Sequence, residues 1–314
     1  MSNEEHCKYI SSRGFLKACD IHSTIPRSST WQLQDYNHDF TEKIFPDGTT
    51  IYVCSTAIRH FFYHKLSHIK YKFILVTGDA DECVPTQVLK DAEITDFLNN
   101  PNLIHWYSQN CVSEHPKITK IPIGLDYHTR NIVSDSNNVI ITPIEQENTL
   151  ITISTSAKSF WERVVKCYSN FHFVNYETMK FGYMRTDVIR DVPSELVFYE
   201  PNIIDRKESW ENQSKYAFVL SPHGNGLDCH RTWEALILGC IPVVRTSPID
   251  SLYEGLPVLI VNEWTDINDD LLKNTIEEFK NKTFSYEKLT LQYWSEKLCF
   301  STFRSDKSRE RFAQ

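Results

Sequence analysis

Short apolar runs alternate with amphipathic, helix-like segments along the first half of this chain. The runs rich in β-branched and aromatic residues are TIYVCSTAI (50–58), YKFILVTGDADECVP (71–85), NLIHWYSQN (102–110) and KITKIPIGLDYH (117–128). Strands that alternate with helical patterns predict a parallel sheet with crossover helices. We therefore expect an α/β domain over residues 1–155.

The same alternation resumes after the polar, turn-rich stretch NIVSDSNNVIITPIE (131–145). Here the pattern predicts helices over 158–168 and 185–192 and a strand over 171–176. Further strands are expected at ELVFYEP, AFVLSP, IPVVR and PVLIV, with helices between them. This order is typical of a doubly wound, Rossmann-like domain. The second domain is expected over residues 156–285, and a helical segment over 286–314 is expected to pack back towards the first.

Two α/β domains in tandem predict a cleft between facing domains. In open α/β sheets, ligands bind outside the carboxyl ends of the strands. The loops that follow strands are therefore the places in which to look for chemistry.

One such loop opens the stretch SPHGNGLDCHRTWEALILGCIPVV (221–244), between a predicted strand and a predicted helix. Backbone N–H groups and the helix dipole favour an anion at this position, which spans Ser221, His223, Gly224, Asn225 and Gly226. The two glycines are expected to turn the backbone with positive φ and to let a ligand approach closely. The carboxylate of Asp228 is expected to cap the helix.

Arg231 and Glu234 lie three residues apart on this helix and therefore share a face. A guanidinium fork suits two phosphate oxygens at once, and a carboxylate one turn away can accept hydrogen bonds from both hydroxyls of a ribose. The alternative is an Arg–Glu pair that only stabilises a helix surface. The glycine-rich loop and the buried strand after it favour a nucleotide site. The loop is neither a Walker A motif nor a GxGxxG dinucleotide fingerprint.

The segment YAFVLSPHGNGLDCHRTWEALILGCIPVVR resembles the carboxy-terminal signature of exostosin-type glycosyltransferases (family 47). That signature is a strand, a short glycine-containing loop, an Arg, a Glu-Ala helix and a strand containing Pro-Val. The wider relatives include α1,3-fucosyltransferases, and IPIGLDYHT and YSQN look like soluble microbial or viral members of the group. The strong match covers some thirty residues around Arg231 and Glu234.

The resemblance implies a GT-B fold, in which two Rossmann-like domains face each other across a cleft. It also implies a nucleotide-sugar donor on the second domain, an acceptor on the first, and no required metal or other cofactor. By the same match, Arg231 would contact the diphosphate and Glu234 the ribose.

Two further residues near this loop are candidates for the donor. Arg185 opens a predicted helix and is either a second diphosphate contact or a solvated helix-start arginine. His223 either touches a phosphate or the sugar, or only caps neighbouring backbone. Lys158 is a weaker candidate in the segment between the domains.

Inverting sugar transfer needs a group that removes the proton of the acceptor hydroxyl. Asp79 and Asp81 follow one strand of the first domain, and Asp126 and His128 follow another. Each is also an ordinary turn former, and a mechanism with no protein base stays open. The sequence does not choose among them.

Composition narrows the class of protein. The net charge of −8 argues against a sequence-independent nucleic-acid binder. The nine cysteines form no CxxC pair and no zinc spacing, which is typical of a reducing compartment. The start, MSNEEHCKYI, does not resemble a signal peptide, and no apolar run is long enough to span a membrane. We expect a cytoplasmic protein from a microbe or virus.

The expected function is inverting transfer of a sugar from a uridine or guanosine diphosphate donor to a carbohydrate hydroxyl. Two alternatives remain at this point. One is a nucleotide-sugar epimerase on the same fold, and the other is a catalytically inactive nucleotide- or glycan-binding module.

Overall fold

The computed structural model describes residues 4–33, 35–129, 140–171, 181–182 and 184–298, and every structural statement below concerns those residues. The strands are β1 Thr49–Cys54, β2 Phe73–Gly78, β3 Leu103–Ser108, β4 Ile118–Lys120, β5 Val164–Ser169, β6 Val197–Tyr199, β7 Tyr216–Leu220, β8 Ile241–Arg245 and β9 Leu259–Val261. The α-helices are α1 Ser12–Ala18, α2 Ile58–His64, α3 Asp91–Leu98, α4 Pro143–Ser156, α5 Arg185–Asp191, α6 Arg206–Gln213, α7 His230–Ile237, α8 Asp269–Lys280 and α9 Leu291–Lys297.

The chain forms two compact units. The first consists of Met1–His128 together with Thr290–Gln314, and the second of Thr129–Leu289. This division lies earlier than the expected boundary at residue 155, so α4 belongs to the second unit. The helix α9, in the segment expected to pack back towards the first domain, contacts the first unit: Leu291 N–H donates to the Lys8 carbonyl at 2.9 Å. The ring of Trp294 also packs edge-on against Phe15 at 6.3 Å.

In the first unit, the sheet is parallel and its order is β1-β2-β3-β4. Every residue of β2 is buried, as expected for a parallel strand that is covered on both faces. The strand order follows the chain without a reversal, so these four strands show no switch point. The predicted parallel α/β sheet is confirmed here, but the described strands do not show the double winding.

In the second unit, the parallel sheet has the order β6-β5-β7-β8-β9. The chain passes from β5 to its neighbour β6 and then returns to the other side of β5 with β7. Reversal of the strand order is the mark of a doubly wound sheet, and it opens a crevice between the carboxyl ends of the two central strands. Here that crevice lies between β5 and β7.

The prediction for residues 158–168 is wrong. Only a short 3-10 turn, Phe160–Glu162, forms there, and β5 follows it. The β-branched pair Val164 and Val165 and the fully buried Cys167 favour a strand that pairs with β7 over an isolated helix. Apart from Phe171, the strand predicted over 171–176 lies outside the described residues.

Each unit has its own apolar core. Ile51, Leu75 and Trp106 are fully buried in the first, and Phe218, Val243 and Leu272 in the second. The eight cysteines in the described residues are all free thiols. None of the helices in those residues combines the length and the apolar character that crossing a membrane would require.

Candidate functional site

The loop after β7 and the start of α5 meet at the switch point of the second sheet. The loop runs over residues 221–229 and leads into α7, which starts at His230. The helix α5 follows β5 and starts at Arg185, as the sequence predicts. The guanidinium Nε of Arg185 donates to the carbonyl of His223 at 2.8 Å. The two loops that frame the crevice are therefore joined by a direct hydrogen bond.

Side-chain hydrogen bonds fix the loop to the helix that follows it. Ser221 and Thr232 share a hydroxyl–hydroxyl contact of 2.8 Å. The N-cap of α7 is Cys229, not Asp228, so the expected capping role of Asp228 is wrong. Its buried carboxylate instead accepts hydrogen bonds from the indole N–H of Trp233, at 2.9 and 3.0 Å to its two oxygens. Asp228 therefore anchors the loop to a core tryptophan.

Neither Gly224 nor Gly226 has positive φ in the structure, which corrects the expectation for this loop. Gly224 N–H donates to the carbonyl of Gly226 at 2.9 Å, so the loop closes on itself, and Asn225 is exposed at its tip. A Cβ added at Gly224 would lie 3.0 Å from Nη2 of Arg185. The glycine at 224 therefore leaves room for the close approach of Arg185.

Two guanidinium groups are held against successive carbonyls of this loop. Arg185 binds the His223 carbonyl, and Nη1 of Arg231 donates to the Pro222 carbonyl at 3.3 Å. The guanidinium of Arg231 also lies 5.4 Å from the ring centre of Phe171, which follows β5. A guanidinium carries five N–H donors, so the single bond to Pro222 leaves Arg231 with donors for an anion. The structure brings both predicted cations to the same loop.

The thiol of Cys229 donates to the same Pro222 carbonyl at 3.4 Å. Burial raises the pKa of this thiol above its usual range. Cys229 is therefore a neutral donor that supports the loop, rather than a nucleophile.

Glu234 is half-buried one turn after Arg231. Within the described residues, no hydrogen bond or ion pair involves its carboxylate, and none joins it to Arg231. The structure therefore does not show the Arg–Glu pair that would make this face an ordinary helix surface. A carboxylate that makes no such contact within the protein has acceptor capacity for a ligand hydroxyl.

His223 is buried, and its Nδ1 lies 2.8 Å from the carbonyl of Gly224. A carbonyl only accepts, so Nδ1 carries a proton and donates it to this carbonyl. The ring also packs edge-on against Phe181 at 4.6 Å. The backbone contact expected as the alternative role of His223 is therefore present.

A pocket of about 150 Å³ lies beside the loop, at the carboxyl ends of β7 and β8. Its walls carry apolar side chains, hydroxyl groups, the imidazole of His223 and the guanidinium of Arg245, and the loop itself contributes Ser221, His223 and Leu227. Apolar walls with a few polar groups are typical of small-molecule sites.

A larger pocket, of about 770 Å³, lies between α4 and α6 and is lined by Lys158 and by Val164, the first residue of β5. It therefore lies at the amino ends of the strands, where open α/β sheets do not bind their ligands. Its hydroxyl groups are already bound to helix carbonyls, as with Thr149 to Glu145 and Thr152 to Asn148. We place the site at the smaller pocket, and Lys158 is not part of it.

In the first unit, residues from four separate parts of the chain form one polar group, which we call the relay cluster: Arg13, Ser28, Asp79, Asp126 and His128. Ser28 Oγ donates to Oδ1 of Asp79 at 2.7 Å, and Nη2 of Arg13 donates to Ser28 Oγ at 3.2 Å. The Nε of Arg13 lies 3.6 Å from Oδ2 of Asp79. The buried carboxylate of Asp79 is thus paired with a buried cation.

The other end of the relay cluster is a histidine–carboxylate pair. Nδ1 of His128 lies 3.2 Å from Oδ1 of Asp126, and Nε2 lies 3.5 Å from Ser28 Oγ. The two strand-end candidates of the sequence therefore belong to one cluster, with Ser28 between them. The contacts that join the cluster involve Asp79 and not the half-buried Asp81. Asp79 also has positive φ, 57°, which is unusual for a residue other than glycine.

Sequence reasoning missed Arg13 and Ser28. Arg13 lies on α1, whose N-cap Ser11 is itself bound to the buried Glu4. Neither residue lies in a glycine-rich loop or directly after a predicted strand, so no local pattern points to it.

The chain has no match among protein-family models and none among curated proteins.

Proposed function

We propose that this protein is an inverting glycosyltransferase that binds a uridine or guanosine diphosphate sugar at the switch point of its second unit. The acceptor in this proposal is a hydroxyl group of a carbohydrate. The observation that carries it is the meeting of Arg185 and Arg231 at one loop, at the carboxyl ends of β5 and β7, with Glu234 one turn further along α7.

The chemistry of a sugar nucleotide fits the groups at this loop. Two guanidinium groups complement the charge of a diphosphate. The carboxylate of Glu234 complements a pair of ribose hydroxyls. The neighbouring pocket has apolar walls for a ring. The resemblance of residues 216–245 to exostosin-type transferases agrees with this arrangement.

In the proposed reaction, the acceptor oxygen forms a bond to the anomeric carbon while the bond from that carbon to the diphosphate oxygen breaks. The electron pair of the broken bond leaves with the diphosphate, so negative charge grows at the phosphate. Arg185, Arg231 and loop N–H groups stabilise that charge, which is the type of contribution that is usually largest in such reactions. The proposal requires no metal and no other cofactor.

The first unit has the acceptor side in this proposal. The proton of the acceptor hydroxyl goes to a base of that unit, with Asp79, Asp81, Asp126 and His128 as the candidates. The GT-B pairing of the two units and action in a microbial or viral cytoplasm are part of the same proposal. The free thiols are compatible with such a reducing compartment.

The test is incubation of the protein with a panel of uridine and guanosine diphosphate sugars, with and without carbohydrate acceptors. We expect release of nucleoside diphosphate and a new glycoside, whose anomeric configuration by NMR is the inverse of the donor's. Interconversion of donors without an acceptor would instead identify an epimerase. Binding with no turnover of any donor would identify a binding module, and either result would contradict the proposal.

A further inference from the structure

Two histidines lie one turn apart on α2, in the first unit, and we call them the histidine pair: His60 and His64. Residues four apart are neighbours on the surface of a helix. The two rings lie against each other, with their centres 4.5 Å apart and their planes inclined at 43°. The proposed transfer does not use these residues, so an inference about them goes beyond that function and does not depend on it.

The ring nitrogens of the histidine pair are not engaged by the protein. Across the part of the chain that the structure describes, none of them takes part in a hydrogen bond or an ion pair, and Nδ1 of His60 is buried without a partner. Histidines elsewhere in the first unit are engaged. Nε2 of His105 lies 2.8 Å from the hydroxyl of Thr119, and Nδ1 of His115 accepts from the N–H of Lys117 at 3.0 Å. A neutral imidazole has one nitrogen with a lone pair, so the histidine pair brings two such lone pairs to one turn of helix.

The spacing of the histidine pair suits chelation of a metal ion. Two histidines at positions i and i+4 on one face of a helix are a known zinc-binding arrangement. Each nitrogen has to lie about 2.0–2.1 Å from a Zn²⁺ ion, so two ligand rings must lie side by side, as these two do. His64 is exposed and His60 is half-buried, so the pair faces solvent. Because Nδ1 of His60 is buried, its Nε2 is the nitrogen that an ion from solvent can reach.

The surroundings select the class of ion. No third His, Cys, Asp or Glu joins the pair within the described residues, so the ligands that the protein supplies are nitrogen atoms. Mg²⁺ and Ca²⁺ prefer oxygen ligands, whereas imidazole suits Zn²⁺, Cu²⁺ and Ni²⁺. The neighbouring cation Lys65 repels any metal ion. An ion is therefore held here by its bonds to nitrogen rather than by negative charge.

We propose that the histidine pair is a surface site for a divalent transition-metal ion of the Ni²⁺, Cu²⁺ and Zn²⁺ class. Nε2 of His60 and one ring nitrogen of His64 each form a bond to the ion and displace one of its water molecules, and the oxidation state of the metal does not change. The other positions of the ion keep water. The bound ion joins the last residue of α2 to the preceding turn, so it stabilises the end of this seven-residue helix.

The first test is calorimetric titration of NiCl₂ into the chain without an affinity tag and into its variants His64→Ala and His68→Ala. His68 is the matched control, because it is an exposed histidine of the same segment that lies outside α2. Closing a chelate strengthens binding by about 10²- to 10⁴-fold over a single ligand. We expect one tight site in the wild type and in His68→Ala, and a loss of at least about 10²-fold in His64→Ala.

The half-buried ligand is tested with His60→Gln, which retains a side chain of similar length. Loss of either ligand ends chelation, so the double variant His60→Gln/His64→Ala should bind Ni²⁺ no more weakly than either single variant. Urea unfolding in the absence of metal shows whether each variant is folded, and this separates a lost ligand from a lost fold.

A spectroscopic test counts the ligands directly. The EPR spectrum of one equivalent of Cu²⁺ should show coupling to two imidazole nitrogens in the wild type and in His68→Ala, but not in His64→Ala. Added Ni²⁺ should also raise the Tm of the wild type and leave the Tm of His64→Ala unchanged.

Equal Ni²⁺ affinity in the wild type and in His64→Ala would overturn the proposal, and so would a wild type that binds no Ni²⁺. Tight binding that is lost in His68→Ala would place the ion elsewhere and overturn it as well. None of these outcomes bears on sugar transfer, which the panel of donors tests separately.

Discussion

The switch-point loop of the second unit and the relay cluster of the first both lie after strands of a parallel sheet, but they are built differently. In the second unit the order of the strands reverses between β6 and β7, and the crevice this creates holds residues of two loops. In the first unit the order of the described strands has no reversal, and the polar residues come from α1, from Ser28, from the end of β2 and from the chain after β4. The first arrangement brings two arginines to backbone carbonyls of one loop, whereas the second places charged groups beside each other.

The two regions also differ in the groups that their cations contact. Arg185 and Arg231 are bound to uncharged carbonyls, so their charge is not neutralised by those contacts. Arg13 and His128 each face a carboxylate within the cluster. These contacts therefore hold two guanidinium groups against backbone carbonyls in the second unit and place charge beside charge in the first.

The largest effect is expected from breaking the buried pair of the first unit. Asp79→Ala leaves the buried Arg13 without its carboxylate, which typically costs about 3–5 kcal/mol of unfolding free energy. The amides of β2 and β4 should lose protection from hydrogen exchange, and the protection of the amides of β7 and β8 should not change. Asp81→Ala is the matched control and should cost clearly less. Equal costs for the two variants would show that the Arg13–Asp79 pair is not the important contact.

The next effect concerns how the stability of the first unit depends on pH. Burial raises the pKa of Glu4 from its ordinary 4.5 to about 7, while the hydrogen bond from Ser11 lowers it less. Because the pKa of Glu4 is higher in the folded protein than in the unfolded chain, the contribution of the Glu4 carboxyl group to stability is complete below pH 4.5. That contribution is lost as the pH rises through 7. The loss is at most about 3 kcal/mol.

Urea unfolding of the wild type and Glu4→Gln at pH 5 and pH 8 measures this contribution. We expect the unfolding free energy of the wild type to fall over that range by more than that of Glu4→Gln. The half-buried neighbour variant Glu5→Gln should behave like the wild type. Parallel curves for the wild type and Glu4→Gln would contradict the assignment.

A smaller effect is expected in the second unit from the anchor of the loop. Asp228→Ala leaves the indole N–H of the fully buried Trp233 unsatisfied, at a cost of about 1–3 kcal/mol. Asp228→Asn keeps one acceptor and should lose less. Hydrogen exchange in α7 should report the change, and an unaltered α7 in Asp228→Ala would exclude the anchoring role.

The smallest expected effect is on nucleoside diphosphate binding, through a local shift of Arg185. In Gly224→Ala, the new Cβ would lie 3.0 Å from Nη2 of Arg185 and 3.4 Å from Sγ of Cys229. We expect nucleoside diphosphate to bind about tenfold more weakly, or about 1.4 kcal/mol. If the effect acts through Arg185, the double variant Gly224→Ala/Arg185→Ala should bind no more weakly than Arg185→Ala alone. Additive losses would show that Arg185 is not the cause.

The second unit was more predictable from sequence than the first, for a physical reason. Ser221, Arg231 and Glu234 lie on one continuous strand–loop–helix segment, so their proximity follows from local geometry. Arg185 could be added because it follows the neighbouring central strand. In the relay cluster, Ser28 and His128 are 100 residues apart, and only the tertiary fold brings them together.

Details within the predictable segment still depended on tertiary contacts. Aspartate is a residue type that is favoured at N-caps. The carboxylate of Asp228 instead accepts hydrogen bonds from the buried indole N–H of Trp233. The glycines were expected to supply positive φ, whereas Gly224 makes room for Arg185. The strand β5 was missed because residues 158–168 have helical spacing, and pairing with β7 decides the outcome.

The most direct test of the donor site is calorimetric titration of uridine and guanosine diphosphates into the wild type, Arg231→Ala and Glu234→Ala. We expect the wild type to bind at least one of the two and both variants to lose that binding. The matched variant Arg190→Ala, at an exposed arginine of α5 that is paired with Asp187 and Asp191, should bind like the wild type. Wild-type affinity in both Arg231→Ala and Glu234→Ala would contradict the account.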